Sequence, residues 1–225
     1  MNCQREIPLD LLSEEEAWMF FKEHSGIGDN SPSELLKVAS NVALECKGLP
    51  IAIEAVGSSL KKKPIEVWKA ALYSLKHSKP MDVEDGVRDA FSCIELSYNH
   101  LRSKRDELMF LMCSMFPEDH EIFVEDLIRY GVGLGICGKV ESVDMARNQL
   151  RASINKLLDS CLLMHSAKNQ VKMHDMVRDT ALWIASRSAN KKILVNLDKD
   201  LNTLVENGDI NDSFAVSSWN KKTNR

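Results

Sequence analysis

Residues Gly133 to Val140 read GLGICGKV. The fold turns on how this stretch is taken. As a phosphate-binding loop, G-x-x-x-x-G-K-[ST], it would make the chain an α/β nucleotide hydrolase. As a glycine-rich helix end it leaves the chain mainly helical. A phosphate loop leaves a strand and enters a helix, so that its amides ring the phosphates and its Ser or Thr holds magnesium. Here Val140 stands where the hydroxyl belongs and cannot ligate the ion. The residues before it, EDLIRYGV at 125–132, carry a helical pattern, so the loop leaves a helix. The helix-end reading follows. A second decoy, ILVNLD at 193–198, has the look of a magnesium-binding strand. Asn196 interrupts it, and a helical stripe and a hairpin separate it from Gly133.

Downstream of the loop, Ser142 caps a long stripe of Val143, Ala146, Leu150, Ile154, Leu157 and Cys161, the spacing of one helix face. The period then changes. CLLMHSAKNQVKMHD, 161–175, holds two short apolar runs around a polar turn, the pattern of a small hairpin. Val177, Ala181 and Ile184 return to helical spacing. Upstream, Val124, Leu127 and Ile128 start a helix, and Leu108, Leu111, Met112 and Met115 mark another behind a Ser103 cap. Helices, a two-stranded wing and a final helix describe a winged helix-turn-helix unit. Residues 78–89, SKPMDVEDGVRD, read as a linker before a helix expected from Phe91.

The first third is a different unit. Ser13 and Glu16 form a capping box, and Ala17, Trp18 and Phe21 share the face behind it. Ser33 opens a second stripe, Leu35, Ala39, Val42 and Cys46, which stops at Gly48. Pro50 suits the first turn of a third helix, where its missing N–H costs nothing. Ala52, Ala55, Val56 and Leu60 form that helix's stripe, which closes in Lys61, Lys62 and Lys63, a solvated helix end. Ile65, Trp68, Leu72 and Leu75 make a fourth. The expected class is mainly α: a small helical bundle over 1–80, a winged-helix domain with a short β-hairpin over 81–190, and a linker over 191–225.

Composition sets the outer bounds. The 225 residues are 44% hydrophobic and 28% charged, with net charge −4. Residues 91–187 hold 12 Lys/Arg against 13 Asp/Glu, which does not give the basic face a nucleic-acid reader needs. The six cysteines, at 3, 46, 93, 113, 137 and 161, show no zinc spacing. Most fall on apolar faces. No run reaches the roughly 20 apolar residues of a membrane helix, and the first residues carry no secretory signal. A soluble protein of a reducing compartment is expected.

Four stretches carry a resemblance. LSEEEAW (12–18), GLPIA (48–52), MFPEDHEI (115–122) and MHD (173–175) resemble, in that order and at that spacing, motifs of the plant NB-ARC disease-resistance proteins, nucleotide-switched intracellular immune receptors. MHDMVRDTALWIAS looks like their coiled-coil class. The resemblance runs from about Leu12 to about Ser188. It implies that 1–80 corresponds to the helical bundle following the nucleotide-binding domain, and that 90–188 corresponds to the winged-helix domain. It implies that Pro50, with Gly48 and Leu49, packs near the adenine of bound ADP. His174, flanked by Met173 and Asp175, would read the β-phosphate and hold the receptor closed. A neutral imidazole N–H is a short-range donor suited to a phosphate oxygen. Asp175 is expected to cap the last helix and orient His174.

The family's phosphate loop, magnesium-binding aspartates and leucine-rich repeats have no counterpart here. The resemblance therefore implies the regulatory part of an ADP/ATP-switched receptor, not itself an enzyme, whose partners are the upstream nucleotide-binding domain and the downstream repeats. It would be cytoplasmic, without nucleic acid, metal or membrane span, and would bind no nucleotide tightly alone. The alternative is a stand-alone protein-interaction module. Without the resemblance, Gly48 and Pro50 explain themselves as a helix stop and a helix start, and Met173 to Asp175 as a strand end and a cap.

Overall fold

The computed structural model describes residues 11–28, 30–77 and 85–187, and the backbone of 193–196 and 215–218. The chain forms two compact units, Met1–Leu96 and Ser97–Arg225. The expected boundary at 80 and 81 lies outside the described residues.

The first unit is a helical bundle. Helix α1 (Glu14–Ser25) starts at the capping box: the Ser13 hydroxyl accepts from the Glu16 amide, and Glu16 accepts from the Ser13 amide. It ends at Gly26, φ 69°. Helix α2 (Ser33–Glu45) and helix α3 (Pro50–Leu60) follow, then α4 (Ile65–His77). α1 packs on α3, and α2 on α4. Phe21, Ala39, Val42, Cys46, Ala52, Ile53, Val56, Leu60 and Trp68 form the core. The Trp68 indole N–H donates to the Lys63 carbonyl at 3.2 Å, which satisfies its one polar atom. Helix α5 (Asp85–Asn99) begins six residues before the expected Phe91. Its Cys93 and Leu96 join the same core.

The second unit contains α6 (Lys104–Cys113), β1 (Ile122–Phe123), α7 (Val124–Gly133), α8 (Val143–Asp159), β2 (Met164–His165), β3 (Gln170–Lys172) and α9 (Asp175–Arg187). The hairpin lies where the period changes, with Met164 opposite Lys172 and His165 opposite Val171. A third strand, not foreseen, joins it: β1 pairs antiparallel with β3, Ile122 opposite Val171, in the order β1-β3-β2. Ser142 caps α8 through its hydroxyl, whereas the Ser103 hydroxyl makes no capping bond to α6. Val143, counted in the α8 stripe, is exposed, because the first turn of α8 lies beyond the core that Ala146, Leu150, Ile154 and Leu157 fill. Met115, beside the buried Phe116, is only half-buried. Strands β4 (Ile193–Asn196) and β5 (Ala215–Ser218) pair in parallel.

GLGICGKV is the end of α7. The amides of Leu134, Gly135 and Ile136 donate back to the carbonyls of Tyr130, Val132 and Gly131, and the Gly138 amide donates to Gly135. Gly135 and Gly138 take φ near 65°, which glycine supplies without strain. Four amides of the stretch are thus already used within it and the end of α7. Gly131 has a separate reason: a Cβ there would come within 3.0 Å of the Leu150 side chain, so the glycine lets α7 lie close on α8.

Candidate functional site

The residues singled out by sequence divide between the two units. Gly48, Leu49 and Pro50 lie in the first. Met173, His174 and Asp175 lie in the second.

The first corner is a backbone contact. The chain reverses after α2 through Lys47 and Gly48, at φ 52° and 70°. The Leu12 amide donates to the Gly48 carbonyl at 3.0 Å. A Cβ on Gly48 would stand 2.5 Å from the Leu12 carbonyl oxygen. Glycine is therefore needed here twice, for its torsion and for close approach. Leu49 is half-buried against the bundle core, and its carbonyl accepts the first bond of α3, from Ile53. Pro50 is the first residue of α3 and is exposed. It borders a groove of about 470 Å³ lined also by Leu12, Glu16, Met19, Phe20 and Glu23. Leu12 also lines a groove of about 650 Å³ that includes Leu11, Trp18, Leu44 and Gly48. This face is thus apolar with an acidic rim.

The second corner is built around the start of α9. Met173 is buried and holds the chain as it leaves β3, while His174 and Asp175 are exposed. The cap differs from the expectation. Asp175 is the first helical residue, and the capping acceptor is Nδ1 of His174, which receives the Met176 amide at 3.1 Å. The His174 carbonyl accepts from the Arg178 amide at 2.9 Å, as the residue before a helix does. The chain turns out of β3 one residue earlier than the sequence suggested, so the ring and not the carboxylate meets the free amide.

Arg178 was not foreseen as a site residue. It is 4% exposed. Its Nε–H donates to the Phe116 carbonyl at 2.7 Å, and its Nη1 lies 3.6 Å from Glu118. The MFPED turn and the MHD helix are therefore joined through one side chain. The sequence does carry a signal: Arg178 stands at three and seven residues from Ala181 and Ala185, a charge on an apolar stripe, and such a charge is paired when buried. Phe116 stacks on His120, ring centroids 5.4 Å apart, which shapes the same turn.

The cations of α8 are engaged. Arg147 and Arg151 both hold Glu125 of α7, and the Arg147 and Arg151 guanidinium groups keep the Glu125 carboxyl below its ordinary range. Lys156 donates to Asp106 at 2.9 Å, and Asp106, 1% exposed, also accepts from Ser153. Two buried thiols are quiet. Burial pushes Cys113 up to about 12. Cys93, hydrogen-bonded to Cys46 and buried, is pushed well above its usual value. A nucleophile needs the opposite shift.

No protein-family model matches the chain. Among characterised sequences it is similar to Disease resistance protein At4g27190 of Arabidopsis thaliana, 35% identical over 84% of this chain and 19% of the relative. Probable disease resistance protein At4g27220 of the same plant is 38% identical over 83% of the chain and 20% of its own length. Probable disease resistance protein At5g47250 is 30% identical over 99% of the chain and 26% of its length. The chain thus spans about a fifth to a quarter of the relatives it matches. Among the described residues no helix is long and apolar enough to cross a membrane.

Proposed function

We propose that this chain is the regulatory part of an ADP/ATP-switched plant immune receptor of the NB-ARC type, coiled-coil class, and that it favours the closed, ADP-bound state. Similarity to disease resistance proteins along more than four-fifths of the chain carries the reading. In it, the first unit is the helical subdomain, and α6 to α9 with β1 to β3 form the winged-helix subdomain. Pro50 offers a rigid apolar ring near adenine, and His174 offers a ring N–H to the terminal phosphate of ADP. Both are exposed at the starts of their helices. Gly48 and Leu49 set the corner that presents Pro50, and Met173 anchors the one that presents His174.

The phosphate grip and the magnesium ligands belong to an upstream domain, and leucine-rich repeats follow. The chain catalyses nothing itself, and the parent protein is cytoplasmic. Titration calorimetry of the 225-residue chain with ADP tests the incomplete site. Dissociation constants weaker than millimolar, or no heat, are expected; micromolar binding would overturn the reading.

A nucleic-acid reader is a poorer fit, because Arg147, Arg151 and Lys156 on α8 each hold a carboxylate of the same unit. A stand-alone protein-interaction module finds some support in the apolar grooves beside Leu12. It is compatible with the regulatory role.

A further inference from the structure

The start of α9 fixes more than the place of His174. An imidazole nitrogen that accepts a hydrogen bond carries no hydrogen, so in the neutral ring the hydrogen sits on the other nitrogen. Nδ1 of His174 accepts from the Met176 amide at 3.1 Å. Nε2 is then the donor, and the exposed ring offers it outward. The turn that supplies the amide is itself held. Arg178 is buried, with Nε–H on the Phe116 carbonyl at 2.7 Å. The segment it grips is fixed at both ends, by α6 before it and by the pairing of Ile122 with Val171 after it. Lys172, next to Val171, is two residues from His174. The ring therefore stands on a frame closed through strand, helix and turn.

We propose that the Met176 amide and Arg178 are positioning groups for His174, which hold its neutral ring as the Nε2–H tautomer so that it meets a ligand as one outward donor. The ligand partner would be an anionic oxygen, and that part rests on the nucleotide reading above. Asp175 and Asp179 are the carboxylates on this turn, and Glu118, Asp119 and Glu121 those on the segment it grips. Arg178 lies 3.6 Å from Glu118 and 3.7 Å from Asp179, which leaves the guanidinium compensated without engaging the imidazole.

Long-range proton–nitrogen spectra of the 225-residue chain, at a pH well above the ordinary imidazole range, read the tautomer directly. The His174→Asn chain identifies the His174 signals by their loss. Wild type is expected to show one dominant form, with hydrogen on Nε2. Arg178→Lys keeps the charge but loses the planar fork; it should lower the ratio of the two forms several-fold, toward that of an unconstrained histidine, which itself favours hydrogen on Nε2. Met176→Pro deletes the amide and should do the same, which keeps the test decisive if the Arg178 variant fails to fold. A wild-type ring with hydrogen on Nδ1, or with the same ratio of forms as a histidine in a short unstructured peptide, overturns the proposal. A variant that melts at lower temperature with the ring ratio unchanged shows that Arg178 only braces the fold, and overturns its positioning role. No nucleotide is present in this measurement. Failure here is therefore separable from failure of the ADP reading, which the calorimetric test addresses.

Discussion

Gly48 is the position where one methyl group costs most for its size. Alanine would face both a left-handed torsion and a backbone oxygen 2.5 Å away. A flexible side chain could move aside, but the Leu12 carbonyl belongs to the strap that enters α1, and the Leu12 amide ties that strap to the Gly48 carbonyl. Gly48→Ala is expected to destabilise the first unit by about 2 kcal/mol, within the ~1–3 kcal/mol typical of strained backbone, measured by urea unfolding followed at Trp18 and Trp68. His174 allows a cleaner dissection. His174→Ala removes the cap of α9 and should cost about 1 kcal/mol. Asparagine is a good cap and should restore most of that stability while lacking the ring N–H. Cys113 gives a chemical check. With its thiol pushed up to about 12 and buried, it should resist iodoacetamide near neutral pH in the native chain and react only after unfolding. Rapid native labelling of Cys113 would contradict the core assignment.

At the scale of elements, the clamps between α7 and α8 and between α6 and α8 decide how the second unit responds to acid and to mutation. Glu125 is held low first by its hydrogen bond to Arg147, with Arg151 adding to it. A carboxylate whose pKa is lower in the folded state contributes stability above the ordinary carboxylate range, and that contribution is lost as pH falls through the lowered value. Melting temperature against pH should therefore show an acid limb that Glu125→Gln flattens; an unchanged limb would remove Glu125 from the account of acid unfolding. Asp106 is buried and accepts from Ser153 and Lys156. Asp106→Ala should cost about 2–3 kcal/mol by loss of charged hydrogen bonds, read from the urea midpoint. What the sequence revealed at this scale was local. The Ser13–Glu16 box, the Pro50 start and the 161–175 hairpin each put both partners within a few residues. What it hid was distant. β1 is two residues long and owes its existence to β3, with Ile122 and Val171 brought together by the fold. The Arg178–Phe116 bond spans a similar distance. The cap of α9 was placed one residue late because Asp is the commoner capping residue, and only the path of the chain out of β3 shows that His174 occupies the site. The four family-like stretches were readable as words, whereas the reason for Gly48, a carbonyl from the strap before α1, was not.

At the scale of the whole molecule, the chain spans about a fifth of its relatives, and the role proposed for it is a contribution to a longer receptor. Its two units each carry an exposed residue at a helix start, Pro50 in one and His174 in the other. In the proposed role, His174 holds ADP through its ring N–H. The most direct test is the rate of ADP release from this chain joined to the nucleotide-binding domain proposed to precede it, compared among wild type, His174→Asn and His174→Ala. The expected result is release at least tenfold faster for both variants, about 1.4 kcal/mol, although asparagine keeps α9 capped and stable. Release from His174→Asn at the wild-type rate would contradict it, and would leave His174 with the structural task of starting a helix.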